Sequence, residues 1–169
     1  ETDVVIRWGR STWPDRDFVP VIAEDAYPVC SRAFRDRFIG DKDIAQDPST
    51  LLGLTLLHQY GGDSGFQTWE SWFAAHGVAY TRPQDEPVFS NFQLLLQAVR
   101  EGQGVSLSWT YLTDGMLGDG ELVCLAPSVR NESTTYGLDM SRLNLEAWQR
   151  DRLVQWFRGA APAQSRLAA

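Results

Sequence analysis

The sequence predicts an α/β domain with a mixed or parallel sheet, on three observations. Short apolar runs at strand period alternate along the chain with longer stretches at helical period, the pattern of packed strands and helices. The stretch Phe89–Trp109 joins one of each with almost no slack. The apolar fraction is 43%, with seven Trp among 169 residues, enough to bury a core and too much for a disordered chain.

In the Phe89–Trp109 stretch, Ser90 or Asn91 caps a helix, since a short side-chain oxygen accepts a free backbone N–H there. Phe92, Leu95, Leu96 and Val99 form one apolar stripe, Gly102 and Gly104 end the helix, and Val105, Leu107 and Trp109 alternate with serines as a strand. At the N-terminal side, Val4 to Trp8 is mostly apolar and predicts a largely buried strand, broken by Gly9-Arg10-Ser11, with a turn at Trp13-Pro14-Asp15. Phe18–Ala23 and Ala26–Val29 read as two further short strands, separated by a solvated Glu24-Asp25 pair. Ser31 is placed to cap a helix through Arg37, and Asp47-Pro48-Ser49 to start another. Leu54–Leu57 is a strand ending at His58-Gln59-Tyr60, followed by a loop over Gly61–Gly65. Gln67–His76 is a helix with Trp69, Trp72, Phe73 and His76 on one side, stopped by Gly77. Val78–Tyr80 reads as a strand, Tyr111–Leu117 as a short helix, Glu121–Leu125 as a strand, Ser128–Ser133 as a polar linker and Thr135–Leu138 as a last strand. The final helix spans about Leu145–Phe157, capped by Asn144, with Leu145, Trp148, Leu153, Trp156 and Phe157 as its apolar face. The tail after it carries little apolar bulk and is expected to fray.

The net charge of −7 argues against this chain gripping nucleic acid by itself, because phosphate contacts need a basic face. No apolar run approaches the roughly 20 residues of a membrane-spanning helix. Cys30 and Cys124 lie far apart; a disulfide is possible, but a reduced cytosolic setting is the expectation. The abrupt entry into a strand predicts a fragment lacking its N-terminal part.

Motifs of chemistry are sparse. The string GDSG over Gly62–Gly65 has the form of a serine-protease nucleophile motif, but AAHG, which would supply the histidine, follows it instead of preceding it, and the surroundings are helix-rich. With His58 and His76 as the only histidines, no metal-ligand spacing is present, and no metal or cofactor is expected. No glycine-rich phosphate loop appears. His76 suits a helix C-terminus. His58 sits at a strand end, where α/β folds place ligands, and reads equally well as a polar residue finishing a strand.

Several segments together resemble the effector-binding domain of LysR-type transcriptional regulators, most of all the subgroup that includes the regulator of glycine cleavage. DVVIRWGRSTWPD resembles that subgroup's D-x-A-I-R-x-G-x-G-x-W; AYPVCSRAF resembles F-P-V-C-S-P-x-L; LLGLTLLHQY with TWESWFAAHGV resembles L-L-H followed by W-x-x-W-x-x-x-x-G. The Phe89–Trp109 stretch resembles A-x-x-G-x-G-V-A-L, and GELVCLAP resembles G-x-L-V-x-P. Their order holds from Asp3 to about Phe157.

The resemblance implies a periplasmic-binding-protein type II-like, two-lobed α/β sandwich with mixed sheets and an incomplete first lobe. Residues 1–26 and 131–169 would be the remnant of the first lobe and 27–130 the second, with hinge crossings near Ala26–Val29 and Leu125–Arg130. It further implies a small-molecule effector, anionic or amino-acid-like, bound between lobes by Trp8, Gly9, Arg10, His58, Gln59, Tyr60, Ser90, Asn91 and Trp109. Helix N–H groups with Ser90 would hold an anionic head group and Arg10 would pair with it. Trp109 stands where the family often has proline. The implied protein is a cytoplasmic homo-oligomer that performs no chemistry, touches no membrane and reaches DNA only through a helix-turn-helix absent from this chain. The alternative is a transport solute-binding protein of the same fold.

Overall fold

A computed structural model describes residues 4–10, 13–60 and 65–161. The Gly61–Gly65 loop, with most of the GDSG string, lies outside the described residues but for Gly65, and so does the C-terminal tail beyond Ala161; Gly159 and Ala160, expected to fray, continue the last helix. In chain order the elements are β1 (Val5–Arg10), β2 (Phe18–Ser31), α1 (Arg32–Phe34), a π-turn (Arg35–Ile39), a 3-10 helix (Pro48–Gly53), β3 (Leu56–Gln59), α2 (Trp69–Ala75) and β4 (Val88–Phe89). Then follow α3 (Phe92–Arg100), β5 (Val105–Trp109), α4 (Thr110–Gly118), β6 (Leu122–Cys124), β7 (Val129–Asp139) and α5 (Ala147–Ala160). The chain divides into two compact units, Glu1–Asp25 with Arg130–Ala169, and Ala26–Val129. It passes from one to the other inside β2 and again at the start of β7.

In the first unit the strand order is β1-β7-β2. The antiparallel β1–β7 pairing runs from Val5↔Asp139 to Arg10↔Thr134, so Gly9 and Arg10 continue the strand that the sequence reading ended at Trp8. As an edge strand β1 is only half-buried, with Ile6 56% exposed, which corrects the expectation of a largely buried one. Val21, Leu138, Met140 and Val154 form the core of this unit. The last helix reaches that core through Val154, with Leu153 and Phe157 beside it, while Trp148 and Trp156 are 63% and 65% exposed and do not belong to the packed face. Its start is fixed by a reciprocal Glu146–Gln149 capping box, not by Asn144.

The largest departure concerns β2. Two short strands around a solvated acidic pair are in fact one strand of 14 residues, and Glu24 and Asp25 are buried within it. Both carboxylates are satisfied by groups distant in sequence. Asp25 accepts from Nε and Nη2 of Arg130, each at 2.8 Å, and Glu24 from Trp8 Nε1 at 3.4 Å, Asn131 Nδ2 at 3.2 Å and the Thr134 hydroxyl. With these donors, all of the expected linker Ser128–Ser133 but Ser128 is part of β7.

The second unit carries the order β2-β5-β3-β4, with β6 also on β2. Its β2–β5 and β2–β6 pairs are antiparallel and its β3–β5 and β3–β4 pairs parallel, a mixed sheet as expected. One core gathers Trp69, Trp72, Phe73, Leu51, Leu56 and Val105; the other gathers Leu57, Leu95, Val99 and Tyr27. The α3 stripe packs as read, and Gly102 takes the left-handed conformation at φ +74°. Gly104 serves a different need. A Cβ there would stand 2.5 Å from the Thr55 carbonyl oxygen, so its role is close approach between β5 and the chain entering β3. Val78–Tyr80 is not a strand, though Val78 and Tyr80 pack on the core. Cys30 faces Val123 and Cys124 faces Val29 across β2–β6, which puts the two thiols on opposite faces and rules out a disulfide between them. Burial pushes the Cys30 thiol up to about 12.

Candidate functional site

In β3, Leu56 and Leu57 are core, while His58 and Gln59, which end the strand, and Tyr60, just beyond it, line a cavity of about 250 Å3 inside the second unit. Parallel pairing with β5, Leu56↔Val105 and Leu57↔Ser106, brings Ser106, Leu107 and Trp109 to the same cavity. The start of α2 supplies a third wall with Gln67, Thr68, Trp69 and Glu70. Thr68 caps α2 in a reciprocal box with Ser71, and Trp69 Nε1 donates to the Leu57 carbonyl at 3.2 Å, which locks this wall to the end of β3. Arg82, an exposed guanidinium, stands at the rim with the exposed Glu70.

His58 is held by groups the sequence reading did not single out. Its Nε2 lies 2.6 Å from Glu86 Oε2 and 3.2 Å from the Tyr80 hydroxyl, and that hydroxyl donates to the same Glu86 oxygen. Burial above all, and then the hydrogen bond to Glu86, push the Tyr80 phenol well above its ordinary range, so it keeps its proton. Glu86 reaches His58 because the following residues form β4: His58 N–H donates to the Pro87 carbonyl at 2.9 Å and Tyr60 N–H to the Phe89 carbonyl at 2.7 Å. Glu86 lies in PQDEP, a string with every mark of a turn, and nothing local signals a partner on β3. His76, by contrast, is structural as read: its Nδ1 donates to the Trp72 carbonyl at 2.8 Å, with the two rings 4.1 Å apart.

Of the nine residues expected to contact an effector, His58, Gln59, Tyr60 and Trp109 line this cavity. Trp109 is also a packing residue, 4% exposed and edge-on to Phe66 and Phe92 at 5.8 Å. Ser90 and Asn91 are exposed and do not line it. The amide oxygen of Asn91 accepts from the N–H groups of Gln93 at 2.7 Å and Leu94 at 3.3 Å, so the helix donors expected to cradle an anion already have an acceptor. Trp8, Gly9 and Arg10 belong to the first unit, on β1, where the Trp13 ring lies 2.9 Å from the position of a Cβ at Gly9. Among the described residues no group of three or more His, Cys, Asp or Glu side chains could hold a metal ion, and no helix is long and apolar enough to cross a membrane.

Comparison with known proteins bears on what this cavity serves. A family model described as the LysR substrate binding domain matches residues 1–163. The glycine cleavage system transcriptional activator of Escherichia coli (strain K12) is 29% identical over 164 residues, 97% of this chain and 51% of that protein. The HTH-type transcriptional activator AmpR of Rhodobacter capsulatus is 28% identical over 120 residues, 71% of this chain and 37% of that protein. The chain thus spans about half the length, or less, of the curated relatives it matches. Among solved structures, the effector domain of the regulator AmpR of Pseudomonas aeruginosa superposes with a TM-score of 0.68 at 22% identity, covering 94% of this chain and 71% of that one.

Proposed function

The chain belongs to the LysR substrate-binding-domain family, and from that membership we propose that it is the effector-sensing part of a transcriptional regulator whose small-molecule ligand enters the cavity at the end of β3. Its fold is that of solved LysR-type effector domains, the periplasmic-binding-protein type II-like α/β class. The relatives are transcriptional activators, which favours regulation over transport. The single observation that carries the ligand reading is the cavity itself. It has aromatic and aliphatic walls with a few convergent polar groups, the make-up of a small-molecule site.

In this proposal His58, Gln59, Tyr60 and Trp109 contact the effector, and Arg82 draws an anionic or amino-acid-like ligand to the rim. Ser90 and Asn91, and the segment Trp8-Gly9-Arg10, carry that role on the resemblance alone, as does the assignment of residues 1–26 and 131–169 to one lobe and 27–130 to the other. The protein performs no chemistry and needs no cofactor. It works in the cytoplasm as a homo-oligomer, and DNA is bound by a domain outside this chain. A ligand alters regulation only by binding two conformations with different affinity.

The test is calorimetric titration of the chain with a panel of small organic acids and amino acids, paired with promoter occupancy of a full-length regulator containing it. His58→Ala is expected to weaken binding of the active metabolite by about tenfold, the scale of one hydrogen bond to a charged group. The reading fails if no metabolite binds and none alters occupancy.

A further inference from the structure

Glu86 and Tyr80 settle which nitrogen of His58 carries the proton. A tyrosine hydroxyl has one proton to give, and that of Tyr80 goes to Glu86 Oε2. Both oxygens within reach of His58 Nε2, Glu86 Oε2 at 2.6 Å and Tyr80 Oη at 3.2 Å, are therefore acceptors toward it. Nε2 must donate, and in the neutral imidazole Nδ1 is left as an acceptor. No described residue bonds Nδ1.

We propose that Glu86 is a positioning residue that fixes His58 in its Nε2–H form, so that His58 Nδ1 selects a ligand bearing N–H donors, a protonated amine or an amide. This rests on the reading of the cavity as the effector site, and it narrows that reading: an acid without an N–H donor is disfavoured. The cavity then pairs this acceptor with the Arg82 guanidinium at the rim.

The experiment is imidazole 15N NMR of the chain, recorded where both rings are neutral. With two histidines in the sequence, assignment is direct, and His76 is a built-in contrast because its Nδ1 donates to a carbonyl. The expected spectrum has His58 as Nε2–H and His76 as Nδ1–H. Glu86→Gln, which keeps an acceptor, and Tyr80→Phe, which leaves Glu86 in place, are expected to retain the His58 form, whereas Glu86→Ala loses it. A merely structural Glu86 would change thermal stability and leave the tautomer alone. An Nδ1–H form at wild-type His58, or an unchanged tautomer in a folded Glu86→Ala, overturns the positioning role; should Glu86→Ala not fold, a lost Nε2–H form in Glu86→Gln or Tyr80→Phe overturns it equally.

The ligand class is read with ethylammonium chloride and sodium propionate, probes of similar size and opposite charge. Ethylammonium is expected to shift the His58 Nδ1 resonance, with an apparent affinity about tenfold weaker in a folded Glu86→Ala, where Nδ1 carries the proton. An equal or larger response to propionate, or no response to ethylammonium, overturns the selection. A metabolite that binds the chain yet lacks any N–H donor sinks this inference and leaves the effector reading standing; absence of binding by every metabolite sinks that reading, while the tautomer result stands by itself.

Discussion

A buried carboxylate is tolerated only while its partner is present, and Asp25 gives the clearest instance. Its side chain is 5% exposed and that of Arg130 41%, with two hydrogen bonds between them. Arg130→Ala strands the charge and should cost about 2 kcal/mol, below the roughly 3–5 of a fully buried pair because the guanidinium keeps much of its hydration. Arg130→Lys keeps the charge but not the planar fork and should recover only part. Urea unfolding of both variants checks the order. Asp139 carries a prediction about pH. The Ser141 hydroxyl first, and then the Arg7 and Arg16 guanidiniums, hold its carboxyl well below the usual carboxylate range. A carboxyl depressed in the folded state binds fewer protons there than in the unfolded chain. Its contribution is therefore complete above the unfolded value of about 4 and is lost as the pH falls below it. Urea midpoints measured between about pH 5 and pH 2 should fall less steeply in Asp139→Asn than in the parent chain.

Elements whose determinants are local were legible in the sequence, and those held by distant partners were not. The α3 cap, stripe and glycine stop lie within a few residues of each other, and the sequence pattern identifies all three. Only the choice between Ser90 and Asn91 needed coordinates, which give the cap to Asn91. Asn91→Ala should accordingly cost about 1 kcal/mol and Ser90→Ala almost nothing, measured by thermal unfolding. The reading of β2 failed because Glu24 and Asp25 look solvated until Arg130, Asn131 and Thr134 are brought beside them, more than 100 residues away. The Glu86–His58 contact was hidden in the same way, by a turn-rich string that only β4 pairing draws to β3. Gly104 shows a subtler limit, since sequence marks the glycine but not whether φ or space demands it. Gly104→Ala sets a methyl against a backbone oxygen that cannot rotate away and should cost about 1–3 kcal/mol, whereas Gly53→Ala meets nothing within 4 Å and should not carry that cost.

At the scale of the whole molecule, each apolar cluster keeps to one unit. Two clusters, with Trp69, Trp72, Leu57 and Leu95, draw only on Ala26–Val129; the third, with Val21, Leu138, Met140 and Val154, draws only on the other unit. The two units differ in how the chain supplies them. The second is one continuous segment, whereas the first is assembled from two pieces far apart in sequence and must close a long loop before its core can form. Residues 26–129 should therefore fold as an isolated polypeptide with a cooperative urea transition. Its near-UV dichroism should retain the signature of the edge-on Trp69–Trp72 pair, whose rings are 5.7 Å apart. Residues 130–161 alone should stay unfolded, because Val154 and Leu138 then lack Val21. A 26–129 polypeptide with no cooperative transition would mean that β2 and β7 need their first-unit halves to hold the second unit together, and the independence of the clusters would be lost.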